Sequence, residues 1–300
     1  MKDVYKKVDG VYIGSLCNAD CEFCLDKETN YAPKLVAVSD IKKRIDHLSS
    51  EGVVDCIIYE WWDFSLHPHI FEILAYGNTK WMQQTIQTNW IKFADIDFVK
   101  KIKELDIGVI NFSLHAASAE LYDDIMKTKK WFPKVLKWLK NCKDLGIHTN
   151  INFVIMKQNI EEIHKMLLLC LKLWVTQLSF YLYIPRKSFS LEQNMKFMVH
   201  PVEAGDKIKQ LLQKLQLLEK KLGKKILDIK FLNIPLCLVD EKRKINIDAF
   251  RRLRNKKTFS PWKYYYKKEC EACLERAKCP WITKYYVDVF DDDFLVPYTL

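Results

Sequence analysis

The chain has 300 residues, 49% hydrophobic and 29% charged, with a formal net charge of +10. That length and balance suit one large domain, or a domain with a small appendage, and exclude the disordered and fibrous classes. Glycine is scarce, at 8 residues, and neither GxGxxG nor a P-loop occurs, which excludes the glycine-rich phosphate cradles.

The opening, Met1-Lys-Asp-Val-Tyr5, lacks the apolar core of a signal peptide, so a cytoplasmic location is expected. Short apolar runs at 11–16, 54–59, 85–88, 108–114, 148–155 and 178–184 predict six strands. Amphipathic stretches between them predict helices. One runs through Leu48 with Ser39 and Asp40 as its N-cap, and others cover 94–105, 132–145 and 160–173. The most apolar stretch, 166–185, is interrupted by Lys172, Thr176, Gln177 and Ser179. It reads as a helix followed by a buried strand rather than as a membrane span. Strands alternating with helices predict a parallel α/β sheet or a partial barrel, with its chemistry at the carboxyl ends of the strands.

Beyond this lie a long Leu- and Lys-rich helix over 203–222 and a further apolar run over 226–234. A boundary is expected near residue 200, giving a core of 1–200 and a C-terminal region of 201–300. From Lys242 to Lys268 there are eleven Lys or Arg and one acid, Asp248, so this segment carries the whole formal excess. Aromatic residues are interleaved with the charge. The segment reads as a solvated linker, with a surface for RNA or an acidic peptide as the alternative.

The ten cysteines are not spaced like a secreted disulfide scaffold. Cys56, Cys142 and Cys170 stand in apolar contexts and read as small core residues. Cys17, Cys21 and Cys24 form Cys-x3-Cys-x2-Cys directly after the first strand. Three thiolates on one loop can hold three irons of a cubane cluster and leave the fourth iron open to a small molecule. Cys270, Cys273 and Cys279 form Cys-x2-Cys-x5-Cys, and Cys237 adds a fourth thiol. Four thiolates suit a closed site, and the residues alone leave open whether it holds a 4Fe–4S cluster or zinc.

The first cysteine motif, at the end of the first strand of a six-strand β/α chain, resembles the radical S-adenosylmethionine superfamily over roughly residues 8–190. The resemblance implies a partial (β/α)6 barrel with a small C-terminal auxiliary iron–sulfur region. It also implies an oxidoreductase-type enzyme in which a 4Fe–4S cluster and S-adenosylmethionine generate a 5′-deoxyadenosyl radical for hydrogen abstraction. Residues 61–68, Trp61-Trp-Asp-Phe-Ser-Leu-His-Pro68, stand where the family shows Gly-Gly-Glu-Pro and a trailing Leu-His-Pro. Asp63 falls at the family's Glu and could accept from the cofactor's ammonium. Two tryptophans replace two glycines. Asn89, Ser113 and, more weakly, Asn152 resemble cofactor contacts at the ends of strands three to five. Phe23 resembles the aromatic near adenine. His67, His69 and His115 pair with no evident acid or base and read as structural.

The second cysteine group resembles the auxiliary-cluster region of the SPASM and twitch subgroups, with cysteines enough for one further cluster. That favours iron–sulfur over zinc and points to modification of a peptide or protein. It also implies an electron donor such as ferredoxin or flavodoxin. An RNA substrate is the alternative, and a non-catalytic iron–sulfur or zinc protein on the same scaffold is a third reading. No membrane partner is expected.

Overall fold

In a computed structural model of the chain, residues 8–29, 34–52, 54–60, 63–89, 91–239, 264–276, 279 and 282–298 are described. The Trp61-Trp62 pair and most of the basic segment, 242–263, lie outside them, and with that segment the RNA reading. Seven strands form one sheet in chain order: β1 (Val8–Tyr12), β2 (Cys56–Glu60), β3 (Gln83–Thr88), β4 (Val109–Ser113), β5 (Thr149–Ile155), β6 (Gln177–Leu182) and β7 (Asp228–Leu232). The neighbours β1–β2, β2–β3, β3–β4 and β6–β7 run parallel. This is the expected α/β class. The run at 226–234, read only as apolar, supplies the seventh strand.

By its internal contacts the chain divides into two compact units. The first comprises Met1–Leu114, Ser118–Ile151 and Lys172–Thr176. Its helices are α1 (Val38–Ser50), α2 (Ile70–Asn78), α3 (Ile96–Glu104), α4 (Ala119–Met126) and α5 (Phe132–Asp144). Each buries one stripe at helical spacing: Ile41, Ile45 and Leu48 on α1, Val99 and Ile102 on α3, Val135, Trp138 and Leu139 on α5. Phe93 meets Phe112 and Trp138 edge-on, with centroids 5.6 and 5.7 Å away. The cap of α1 is not where the sequence suggests. Ala37 is its N-cap and offers no side-chain bond, while Ser39 and Asp40 already lie inside the first turn. There the Asp40 carboxylate complements the helix dipole instead of capping it.

The second unit comprises His115–Ala117, Asn152–Leu171 and Gln177–Leu300. Helix α6 (Ile163–Lys172) buries Ile163, Met166, Leu167 and Cys170, and β6 follows it. Among the described residues no helix is long and apolar enough to cross a membrane. A capping box, Ser190 with Gln193, starts α7 (Leu191–Met195). Proline at its first turn starts α8 (Pro201–Leu222), which ends at Gly223 with φ 64°. Asn194 is a buried hub. Its Oδ1 accepts from the Tyr183 hydroxyl and the Arg186 N–H at 2.9 and 2.7 Å. A short antiparallel ribbon, β8 (Tyr264–Tyr265) with β9 (Ile282–Thr283), leads into α9 (Lys284–Phe290). The Tyr286 hydroxyl donates to the Tyr183 carbonyl at 3.0 Å, which ties α9 to the end of β6. Cys56, Cys142 and Cys170 are buried in the core, as expected.

Within this unit α8 passes very close to the turn that bears Cys237. A Cβ on Gly205 would stand 2.3 Å from the Leu238 carbonyl oxygen. Backbone cannot yield as a flexible side chain can. Gly205→Ala is therefore expected to cost about 1–3 kcal/mol, read as a lower midpoint in chemical denaturation. Gly223→Ala is expected to act differently, through its positive φ alone, because its added Cβ meets nothing within 4 Å.

Candidate active site

The first cysteine loop leaves the carboxyl end of β1 through a fixed gateway. Gly14 has φ 149°, and a side chain there would meet the Lys34 carbonyl oxygen at 2.6 Å. The segment around Leu35 runs alongside. Ser15 N–H donates to the Lys34 carbonyl at 2.7 Å, Lys34 N–H to Ser15 Oγ at 3.0 Å, and Val36 N–H to the Ile13 carbonyl at 3.0 Å. Farther along, Asp20 N–H donates to the Met126 carbonyl at 3.2 Å, and Cys21 Sγ lies 3.4 Å from Met126 Sδ. Cys24 N–H closes a turn on the Cys21 carbonyl at 3.3 Å.

Donors point at the sulfurs. Ala19 N–H and Asn89 Nδ2 donate to Cys17 Sγ at 3.4 and 3.2 Å. The backbone N–H groups of Asp26 and Lys27 face Cys24. Burial nevertheless pushes all three thiols up, Cys17 to about 11. A ring of N–H groups around buried sulfur is the environment of a ligated thiolate, because the donors compensate a negative charge that the interior would otherwise reject.

Asp63 sits beside this loop and is only 2% exposed. Its N–H donates to the Leu16 carbonyl at 3.0 Å. Its Oδ1 caps a short 3-10 turn through Ser65 N–H at 3.0 Å and accepts from the Thr88 hydroxyl at the end of β3. Burial pushes its carboxyl upward, and the bonds from Thr88 and Ser65 oppose that shift. Among the described residues Oδ2 has no partner, and neither do the buried Asn89 Oδ1 and Asn18 Oδ1. Three acceptors left open beside a sulfur cradle fit the ammonium of an amino acid, which carries three N–H donors. The residues present thus suit both a cluster and an amino-acid cofactor.

The structure brings together Cys17, Cys21, Cys24, Asp63 and Asn89. Phe23 lies in the same loop and is buried. Ser113 ends β4 with its side chain half-buried. Asn152 belongs to the second unit, where its Oδ1 accepts from the Tyr181 hydroxyl at 3.5 Å. His115 is structural. Its Nδ1 accepts from Val154 N–H at 3.1 Å, and burial pushes the imidazole down to about 3, so it stays neutral. Sequence reasoning assigned no role to Thr88, Asn18, Tyr122 or Met126. Thr88 was within reach, being adjacent to Asn89. Nothing in the sequence pairs the helix bearing Tyr122 and Met126 with the cysteine loop.

In the second unit Cys237, Cys270, Cys273 and Cys279 line one cavity together with Tyr265 and Tyr298. The turn bearing Cys237 is held by the Tyr298 hydroxyl, which donates to the Leu236 carbonyl at 2.9 Å. The Tyr265 hydroxyl donates to Asp292, which pushes that phenol up to about 12. Burial pushes the Cys237 thiol up to about 11. Among the described residues no three His, Cys, Asp or Glu side chains are grouped so as to hold a single metal ion.

Comparison with known proteins gives this geometry a family. The antilisterial bacteriocin subtilosin biosynthesis protein AlbA of Bacillus subtilis (strain 168) is 26% identical over 206 residues, 65% of this chain and 45% of that protein. Fe-coproporphyrin III synthase of Methanosarcina barkeri (strain Fusaro / DSM 804) is 30% identical over 149 residues, 49% of this chain and 36% of that protein. The chain thus spans less than half the length of these two relatives. Among solved structures, Streptococcus suis SuiB bound to S-adenosylmethionine superposes with a TM-score of 0.64 at 16% identity, over 80% of this chain and 54% of that one. SuiB bound to the precursor peptide SuiA gives 0.62 at 15% identity, over 78% and 51%. The family model of the radical SAM superfamily matches residues 11–170, a stretch that includes the cysteine loop, Asp63 and Asn89, and this chain is a member of that superfamily.

Proposed function

We propose that the chain is a radical S-adenosylmethionine enzyme that modifies a peptide or protein. Cys17, Cys21 and Cys24 would hold a 4Fe–4S cluster, and the open acceptors beside them would hold the cofactor. The observation that carries the reading is the pairing of a donor-lined sulfur cradle with three buried, unpartnered oxygens. When bound, the cluster and S-adenosylmethionine supply reductive cleavage of a sulfonium bond and a hydrogen-abstracting radical.

The chain's own residues bind and orient. Thr88 and Ser65 fix one oxygen of Asp63, so that the other is aimed without freedom to rotate. An ammonium at Oδ2 would pull the buried carboxyl back to its charged form. Asn89 serves both partners, its Nδ2 on Cys17 and its Oδ1 open to the cofactor. Phe23, Ser113 and Asn152 are the further candidates for cofactor contact. Cys237, Cys270, Cys273 and Cys279 would hold a second 4Fe–4S cluster. A single zinc keeps its thiolates within about 4 Å of one another, whereas a cubane spreads them over four irons. The peptide or protein substrate rests on the likeness to AlbA, a bacteriocin biosynthesis protein.

The test is anaerobic reconstitution with iron and sulfide, reduction, and addition of S-adenosylmethionine. The wild-type chain is expected to bind about eight irons and to form 5′-deoxyadenosine, read by mass. Cys24→Ala is expected to abolish the product, and Cys270→Ala/Cys273→Ala to leave about four irons. A fully loaded, reducible wild-type protein that forms no product with any candidate peptide overturns the enzyme reading. Asp63→Ala is expected to weaken S-adenosylmethionine binding roughly 10- to 100-fold, the worth of one charge-assisted hydrogen bond, with iron content unchanged. Isothermal titration of the loaded, unreduced protein checks this.

A further inference from the structure

We propose that the hydroxyl of Tyr122 donates a hydrogen bond to the sulfur edge of the first cluster at Cys21 and thereby raises that cluster's reduction potential. The proposal rests on the reading of Cys17, Cys21 and Cys24 as cluster ligands. Helix α4 lies directly on the cysteine loop, since Met126 accepts from Asp20 N–H and its Sδ touches Cys21 Sγ at 3.4 Å. Tyr122 stands four residues before Met126 and so presents the same face of the helix. Its ring is 0% exposed and packs on Phe132 with centroids 5.7 Å apart. Its hydroxyl has no hydrogen-bond partner among the described residues. Burial pushes its phenol upward and so keeps the proton on the hydroxyl, and the nearby Cys21, Asp123, Asp63 and Cys17 act in the same direction.

A buried hydroxyl without a partner is costly, and a phenylalanine would fill the same space without that cost. Asn18 Oδ1, Asp63 Oδ2 and Asn89 Oδ1, likewise without a partner among the described residues, are oxygens that suit a cation. Two such hydroxyls here can supply a proton, Ser65 Oγ and Tyr122, and of these Tyr122 stands on the helix that touches Cys21. The electron-rich group that its helix faces is the thiolate and sulfide edge at Cys21. Donors to cluster sulfur stabilise the more negative, reduced state, so the phenol makes the cluster easier to reduce.

The test is Tyr122→Phe in the full chain, reconstituted anaerobically. The electron paramagnetic resonance signal that responds to S-adenosylmethionine identifies the first cluster and is followed in a potentiometric titration. The variant is expected to load wild-type iron, to bind S-adenosylmethionine within about twofold of wild type, and to show a more negative midpoint. Ile125→Val, which removes one methyl group from the same helix, is expected to keep the wild-type midpoint. An unchanged midpoint in loaded Tyr122→Phe overturns the proposal alone. So does weaker cofactor binding at an unchanged midpoint, which would assign the hydroxyl to the cofactor. An equal shift in Ile125→Val also overturns it, by assigning the effect to helix packing. A wild-type chain that takes up no cluster overturns the cluster reading and this proposal with it.

Discussion

The first site depends on holding three thiols where a protein interior disfavours their charge. Burial raises Cys17, Cys21 and Cys24 together, yet the backbone at Ala19, Asp26 and Lys27 and the Asn89 amide all turn donors toward sulfur. Those two facts conflict for a free thiol and agree for a ligated one. A bound metal deprotonates its thiols outright, and N–H groups then stabilise the charge that remains. On the proposed reading the loop is shaped for the loaded state, in which those donors have a charge to stabilise.

Parallel register does the rest of the positioning. Tyr59 pairs with Ile86, so the ends of β2 and β3 lie level. The residues leaving those ends, Asp63 and Thr88, therefore meet, and Asp63 also reaches back to Leu16 at the start of the cysteine loop. One residue thus links three consecutive strand ends, its carboxylate reaching β3 and its backbone N–H the loop after β1. This is how a sheet places chemistry at its carboxyl edge. The strands are rigid, the departing loops are short, and each side chain is fixed by a neighbour on the next strand.

The strand positions, the cysteine loop and the core role of Cys56, Cys142 and Cys170 were legible because they are local. Apolar runs and cysteine spacing are written in consecutive residues. What was not legible is mostly non-local. The apolar run before Pro235 becomes a seventh strand only because β6 is there to pair with it. The cap of α1 moved to Ala37 because a first-turn acid can act through the dipole without capping. The motif places Asp63 at the family's Glu but does not show the Thr88, Ser65 and Leu16 contacts that bury and fix it. Tyr122 carried no signal at all, since its proposed role rests on a buried hydroxyl without a partner among the described residues.

The second cysteine site is built on a different principle from the first. Its thiols come from the turn after β7 and from the segment after β8, far apart in sequence, and convergence requires closing a long loop. The protein contributes contacts of its own to that closure. Tyr298 bonds to the Leu236 carbonyl, Tyr265 to Asp292, and α8 presses Gly205 against Leu238. Hydrogen bonds of this kind each contribute modestly, whereas a metal clip across a long loop gains most where the loop is longest. On the proposed reading, loading a cluster there and ordering the C-terminal ribbon are one event, because the same four sulfurs serve as ligands and as cross-link.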